Sequence, residues 1–124
     1  MADKQVLFVY GSLMREMPNH STLGEDGRFL SPALTKPGFA LVDLGPYPGA
    51  VRAGDGSLEG EIYSVSRTKL AQLDAFEGVP NFYRRVRVEL EHPEGTAWIY
   101  LLASLPAGAV YVPSGSWRQY WSQR

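Results

Sequence analysis

Two short segments of the chain carry residue types at spacings that could do chemistry. The first is Tyr10-Gly11-Ser12-Leu13, directly after an apolar run. Gly11 and Ser12 let a strand end turn sharply, and successive backbone N–H groups in such a turn can converge on one spot. A nest of that kind holds an anion or a developing oxyanion without a charged side chain. An ordinary strand-to-loop turn has the same residues, and the tetrapeptide alone does not separate the two. The second is Leu73-Asp74-Ala75-Phe76-Glu77-Gly78. A carboxylate in the last turn of a helix faces the negative end of the dipole, which disfavours ionisation. Asp74, three residues earlier, adds like-charge repulsion, and Phe76, Val79 and Phe82 can desolvate the group. All three effects raise the pKa of Glu77, which suits a carboxylate that moves protons near neutrality. A solvated Glu at a frayed helix end is the competing reading.

The remaining reactive residue types offer less. His20 and His92 are far apart and neither lies at ligand spacing with another metal ligand, so no metal site is expected. There is no Walker A loop, no G-x-G-x-x-G, no H-E-x-x-H and no G-x-S-x-G, and no cofactor is called for. Arg84, Arg85 and Arg87 could hold a carboxylate. Strand alternation, however, sends Arg85 and Arg87 to one polar face beside Glu89, where a salt-bridged solvent face is expected. Trp98, Tyr100, Trp117, Tyr120 and Trp121 read as packing residues, since no basic residues interleave them as a stacking platform would need. The chain of 124 residues has 12 Lys+Arg against 13 Asp+Glu and no Cys. A net charge of −1 gives no electrostatic case for nucleic acid or anionic lipid as partner. The lack of cysteine excludes disulfide scaffolds, thiolate metal sites and a cysteine nucleophile. No secretory signal or membrane-spanning stretch is recognisable, and a cytoplasmic protein is expected.

The elements that must position these segments are short. With 44% apolar and 20% charged residues, the chain reads as one globular domain over 1–124. Strands are predicted at Gln5–Tyr10, Phe39–Leu44, Leu58–Val65, Tyr83–Glu91 and Thr96–Ala103, the last two forming a hairpin around His92-Pro93-Glu94-Gly95. In Tyr83–Glu91 alternation places Val86, Val88 and Leu90 on one face. The clearest helix is Arg67–Phe76, capped by Ser66 and stopped by Gly78 and Pro80. A helical turn within Arg15–Leu23, interrupted by Pro18, and a terminal helix at Ser116–Ser122 complete the reading. The fold class is α+β, a curved sheet or barrel with the helix packed against it.

Taken in order, these segments resemble the gamma-glutamylcyclotransferase-like family, which includes the plant AIG2-like and bacterial YtfP-like proteins. The resemblance rests on Phe8-Val9-Tyr10-Gly11-Ser12-Leu13, Pro18-Asn19-His20, Tyr47-Pro48 and Leu58-Glu59-Gly60-Glu61-Ile62-Tyr63. It continues through Leu73-Asp74-x-x-Glu77-Gly78 and Tyr83-Arg84-Arg85 to the strand around Ile99-Tyr100. The last twenty or so residues carry little of it, and within the family the short gamma-glutamylamine cyclotransferase branch is the most similar. The resemblance implies a small mixed β-barrel with flanking helices and one pocket. It also implies cyclisation of a gamma-glutamyl group to 5-oxoproline, with release of the attached amine or amino acid. The family's catalytic carboxylate maps onto Glu77, and its substrate-cradling loop onto Tyr10, Gly11, Ser12 and Leu13. Tyr47 and Tyr83 fall where pocket-lining residues are expected.

That chemistry agrees with the residues. The substrate's own α-amine attacks its γ-carbonyl, so the protein needs no nucleophile and no metal, only a proton-transferring group and hydrogen-bond donors. Whether the loop holds the α-carboxylate or the oxyanion stays open. The competing functions are acyl transfer on another amide and a non-catalytic ligand-binding module on the same fold.

Overall fold

Leu7, Phe8, Val9 and Tyr10 are all buried, a pattern a strand shows only when both of its faces are covered. A computed structural model, which describes residues 4–124, accounts for this by placing the strand in a barrel wall. In chain order the strands are β1 (Lys4–Val9), β2 (Arg28–Thr35), β3 (Phe39–Asp43), β4 (Pro48–Arg52), β5 (Glu59–Ser66), β6 (Tyr83–His92), β7 (Gly95–Leu102) and β8 (Val110–Tyr111). The helices are α1 (Arg67–Phe76) and α2 (Trp117–Ser122), and a 3-10 turn spans His20–Leu23. Five strands close a barrel in the order β1-β5-β2-β6-β7, and β4-β3-β8 form a separate sheet whose β4 packs on β7.

The barrel is mixed. β1 pairs antiparallel with β5 from Lys4↔Ser66 to Val9↔Glu61, whereas its closing contact with β7 is parallel, at Leu7↔Trp98. The β6–β7 hairpin runs in unbroken register from Tyr83↔Leu102 to Leu90↔Gly95. A barrel this narrow is filled by its own side chains, and Leu7, Val65, Ala97 and Ile99 are fully excluded from solvent. No helix among the described residues is long and apolar enough to cross a membrane.

α1 occupies the predicted span, and both of its ends follow from the sequence. The Ser66 hydroxyl accepts a hydrogen bond from the Lys69 amide at 3.0 Å, satisfying one of the orphan donors of the first turn. At the other end Gly78 adopts φ 68°, its amide bonding Ala75 O, while the Val79 amide bonds Asp74 O. This is a Schellman closure, which places Glu77 at the C-cap, one residue beyond the helix, with an amide bonded to Leu73 O at 2.8 Å.

Other expectations need correction. β2 and β4 are absent from the predicted strands because Pro32 and the register break between Phe29 and Ser31 obscure the first, and Pro48-Gly49 the second. The helical turn within Arg15–Leu23 is confined to the part after Pro18. Arg85 does not pair on the β6 face with Glu89. It reaches Asp74 of α1 with two hydrogen bonds, at 2.7 and 3.0 Å, while Glu89 meets Lys36 at 3.8 Å. Arg85 and Arg87 stack over Trp98, at 4.3 and 4.0 Å from the ring centre.

Candidate active site

The turn after β1 is organised so that its carbonyls face the protein and its amides do not. Gly11 O accepts from the Met14 amide at 3.1 Å, Ser12 O from the Asn19 amide at 2.9 Å, and Leu13 O meets His20 Nδ1 at 2.9 Å. The last contact requires the proton on Nδ1, since a carbonyl can only accept. The Asn19 side chain donates to Ser12 Oγ at 3.0 Å. Among the described residues, the Gly11, Ser12 and Leu13 amides donate to no backbone or side-chain acceptor. Three successive free amides are the electrostatic requirement of an anion nest.

Gly11 is required by space. A Cβ there would lie 2.6 Å from Pro48 Cγ and 2.7 Å from Cδ. Gly11→Ala is therefore expected to displace either the turn or the start of β4, costing about 1–3 kcal/mol. Urea denaturation checks the cost; a variant as stable as the parent would show that the turn yields freely.

These residues form one wall of a cavity of about 160 Å³. Phe8 and Val9 of β1 form its floor with Tyr10–Leu13, Tyr47 and Pro48 line the side facing β4, Tyr83 and Tyr100 come from the hairpin, and Phe76, Glu77 and Phe82 come from the end of α1 and the segment after it. All seven residues singled out from the sequence thus line the same cavity: Tyr10, Gly11, Ser12, Leu13, Tyr47, Glu77 and Tyr83.

Three of the four tyrosines that line the cavity are fixed by backbone acceptors or by Asp74. Tyr10 OH donates to Tyr100 O and Tyr83 OH to Pro48 O, both at 2.6 Å, and Tyr100 OH donates to Asp74 Oδ1 at 2.8 Å. Burial pushes the pKa of all three upward, and the nearby Glu77 charge pushes the same way. They remain neutral donors at any working pH.

Glu77 is the exception to this saturation. Its carboxylate accepts no hydrogen bond and meets no cation among the described residues, and burial alone raises its pKa from 4.5 to about 7. Of the three causes the sequence argument offers, burial is the one that acts. Asp74 does not repel Glu77 into protonation, because Arg85 and Tyr100 hold the Asp74 carboxylate on the other side. Tyr100 packs in the core as the sequence predicts, and it lines the cavity as well. Asn19 was visible only as part of a motif; its role in bracing Ser12 depends on the loop's return path.

The chain can now be set beside known proteins. The family model for Gamma-glutamyl cyclotransferase, AIG2-like proteins matches residues 7–119. A Vibrio cholerae protein named as a candidate gamma-glutamylcyclotransferase is 43% identical over 116 residues, covering 94% of this chain and 97% of its own length. The gamma-glutamylcyclotransferase family protein YtfP of Escherichia coli K12 is 33% identical over 117 residues, covering 90% and 94%. Among solved structures, a Mus musculus AIG2-like protein superposes with a TM-score of 0.78 at 27% identity, covering 90% of this chain and 87% of that one.

Proposed function

The chain belongs to the gamma-glutamyl cyclotransferase, AIG2-like family, and we propose that it cyclises a small gamma-glutamyl amide to 5-oxoproline and releases the attached amine, with Glu77 as the proton-transferring group. What supports this reading above all is a shared cavity: Glu77, an unpartnered carboxylate with its pKa raised by burial, faces the same space as three free amides.

The step balances without a further reactant. The substrate's α-ammonium gives a proton to the Glu77 carboxylate, and the freed amine attacks the γ-carbonyl carbon. One C–N bond forms and the carbonyl oxygen gains negative charge. As that oxygen re-forms its double bond, the original amide C–N bond breaks. The leaving nitrogen takes the proton held by Glu77, and the restored carboxylate takes the second proton from the ring nitrogen, which the attack leaves as a cation; that proton departs with the released amine as its ammonium, and the lactam N–H remains. Holding the chain folded for ring closure supplies much of the rate, since such intramolecular attacks reach effective molarities on the order of 10⁵–10⁸ M. The Gly11–Leu13 amides hold either the α-carboxylate or the oxyanion, and the fixed tyrosine hydroxyls keep the cavity wall rigid and neutral.

The pH dependence follows from the raised pKa. The base form of Glu77 starts the reaction, so kcat/KM is expected to be low in acid, to rise about tenfold per pH unit, and to level off above about 7. Following 5-oxoproline release from a gamma-glutamyl amide between pH 5 and 9 measures this, in about half-unit steps. A midpoint near the ordinary carboxylate value would remove Glu77 as the titrating group, and no release at any pH would leave a ligand-binding module.

A further inference from the structure

The cavity differs sharply between its depth and its mouth. At depth lie the tyrosine hydroxyls and the loop amides, whereas the mouth carries Phe76 and Phe82, which are 50% and 44% exposed. Large apolar side chains left in water beside a cavity are surface waiting to be covered. Both are held at the backbone. Phe76 belongs to the last turn of α1, and the backbone of Phe82 is held by bonds from its amide to Gly78 O and from the Ala103 amide to its carbonyl, both at 2.9 Å. Phe82 stands edge-on between Tyr47 and Tyr83, with ring centres at 6.3 and 4.9 Å and planes at 84° and 88°. Edge-to-face arrays of this kind accept another ring readily.

Charge sharpens the point. Among the described residues no Lys, Arg or His lines the cavity, and Glu77 is the only charged side chain there. Arg85, the cation of the neighbouring strand, is committed to Asp74, and Arg84 projects from the strand face opposite to Tyr83. The loop amides therefore form the one anion receptor of the cavity, and the glutamyl part of the substrate uses it. A leaving group with a carboxylate of its own would bring a second anion against Glu77 with no cation to meet it, at a desolvation cost that nothing offsets.

We infer that the released amine is uncharged apart from its amino group and carries an apolar, aromatic substituent that packs on Phe76, Phe82 and Tyr47, and that amino acids and peptides are poor leaving groups for this protein. The inference rests on the cyclisation proposed above and names the substrate class of that same site.

Three substrates separate the contributions: the gamma-glutamyl derivatives of phenethylamine, ethylamine and phenylalanine. The first two differ in the ring alone, and the first and third in the carboxylate alone. Phenylalanine is the less basic and so the better leaving amine, which means bond chemistry by itself favours it. With kcat/KM read from 5-oxoproline release, the phenethylamide is expected to exceed both of the others by about tenfold or more, a difference of about 1.4 kcal/mol. Phe82→Ala is expected to narrow the ratio of phenethylamide to ethylamide. A phenylalanine derivative turned over as well as the phenethylamide would overturn the inference while leaving the cyclisation intact. Release of 5-oxoproline from none of the three would remove the reaction, and the inference with it.

Discussion

Glu77→Gln is expected to lower the turnover of a gamma-glutamyl amide by about 10²–10⁴-fold, the range a positioned general acid–base group contributes. The amide is nearly isosteric with the carboxylate, so the Schellman closure at Gly78 and the shape of the cavity are retained. What is lost is the ability to take a proton from the α-ammonium and return it to the leaving nitrogen. The variant is also expected to be the more stable protein above neutrality. Folding raises the Glu77 pKa from 4.5 to about 7, so between those values the native state binds a proton that the unfolded chain has released. Stability therefore falls as pH rises through that window, and the loss is complete above about 7. Gln carries no charge to bury and escapes the loss. Burying the Gln amide offsets part of this at every pH, so the variant is expected to gain about 1–2 kcal/mol on the parent at pH 8 and to fall below it in acid, under the unfolded-state pKa. Urea denaturation at both pH values measures it. A variant with turnover within about threefold of the parent would exclude Glu77 from proton transfer.

The second large effect concerns Glu61, a charged residue only 4% exposed. Its carboxylate accepts from the Arg15 amide at 2.9 Å, Arg15 Nε at 3.1 Å, Arg118 Nη2 at 3.1 Å and Tyr63 OH at 2.9 Å. One side chain of β5 thus ties down the segment following Leu13 and anchors α2 to the barrel. Glu61→Ala is expected to destabilise the fold by about 3 kcal/mol, the low end for breaking a buried ion pair. The low end applies because both arginines are partly exposed and regain water. The buried Tyr63 hydroxyl and the Arg15 amide cannot do so as easily, and an unsatisfied buried group costs about 1–3 kcal/mol. Loss of the tether is also expected to raise KM, since the free amides of the turn lie two to four residues from Arg15. Urea denaturation and steady-state kinetics read the two effects. A stability change under about 1 kcal/mol would mean that the network is solvated and carries no load.

The sequence signals that worked were local ones. Ser66 and Gly78 bracket α1 in both readings, because a cap hydroxyl and a left-handed glycine act within one turn of chain. The same helix end makes Glu77 a candidate, but a solvated Glu fits there as well, and its assignment comes from the ordered motifs of the family resemblance. Desolvation by Phe76 and Phe82 is legible from their spacing, whereas Phe8, Tyr47 and Tyr100, which share the cavity with Glu77, come from distant positions that only the fold brings together. Asp74 illustrates the limit. Spacing on the helix makes it a neighbour of Glu77, whereas the barrel supplies Arg85 and Tyr100 as stronger partners. Strand periodicity told which way Tyr100 alternates but not what its face would meet. β2 is not legible in the sequence because Pro32 and a register break erase the alternation that identifies a strand.

The fate of the carbonyl oxygen and the source of the attacking atom distinguish cyclisation from every hydrolytic alternative. The purified protein is incubated with a gamma-glutamyl amide in water enriched in heavy oxygen, and the products are weighed by mass spectrometry. Intramolecular attack by the α-amine predicts 5-oxoproline and free amine in equal amounts, with no heavy oxygen in the 5-oxoproline. Glutamate carrying one heavy oxygen atom would show that water is the nucleophile, and the account built on Glu77 and a substrate-borne amine would be wrong.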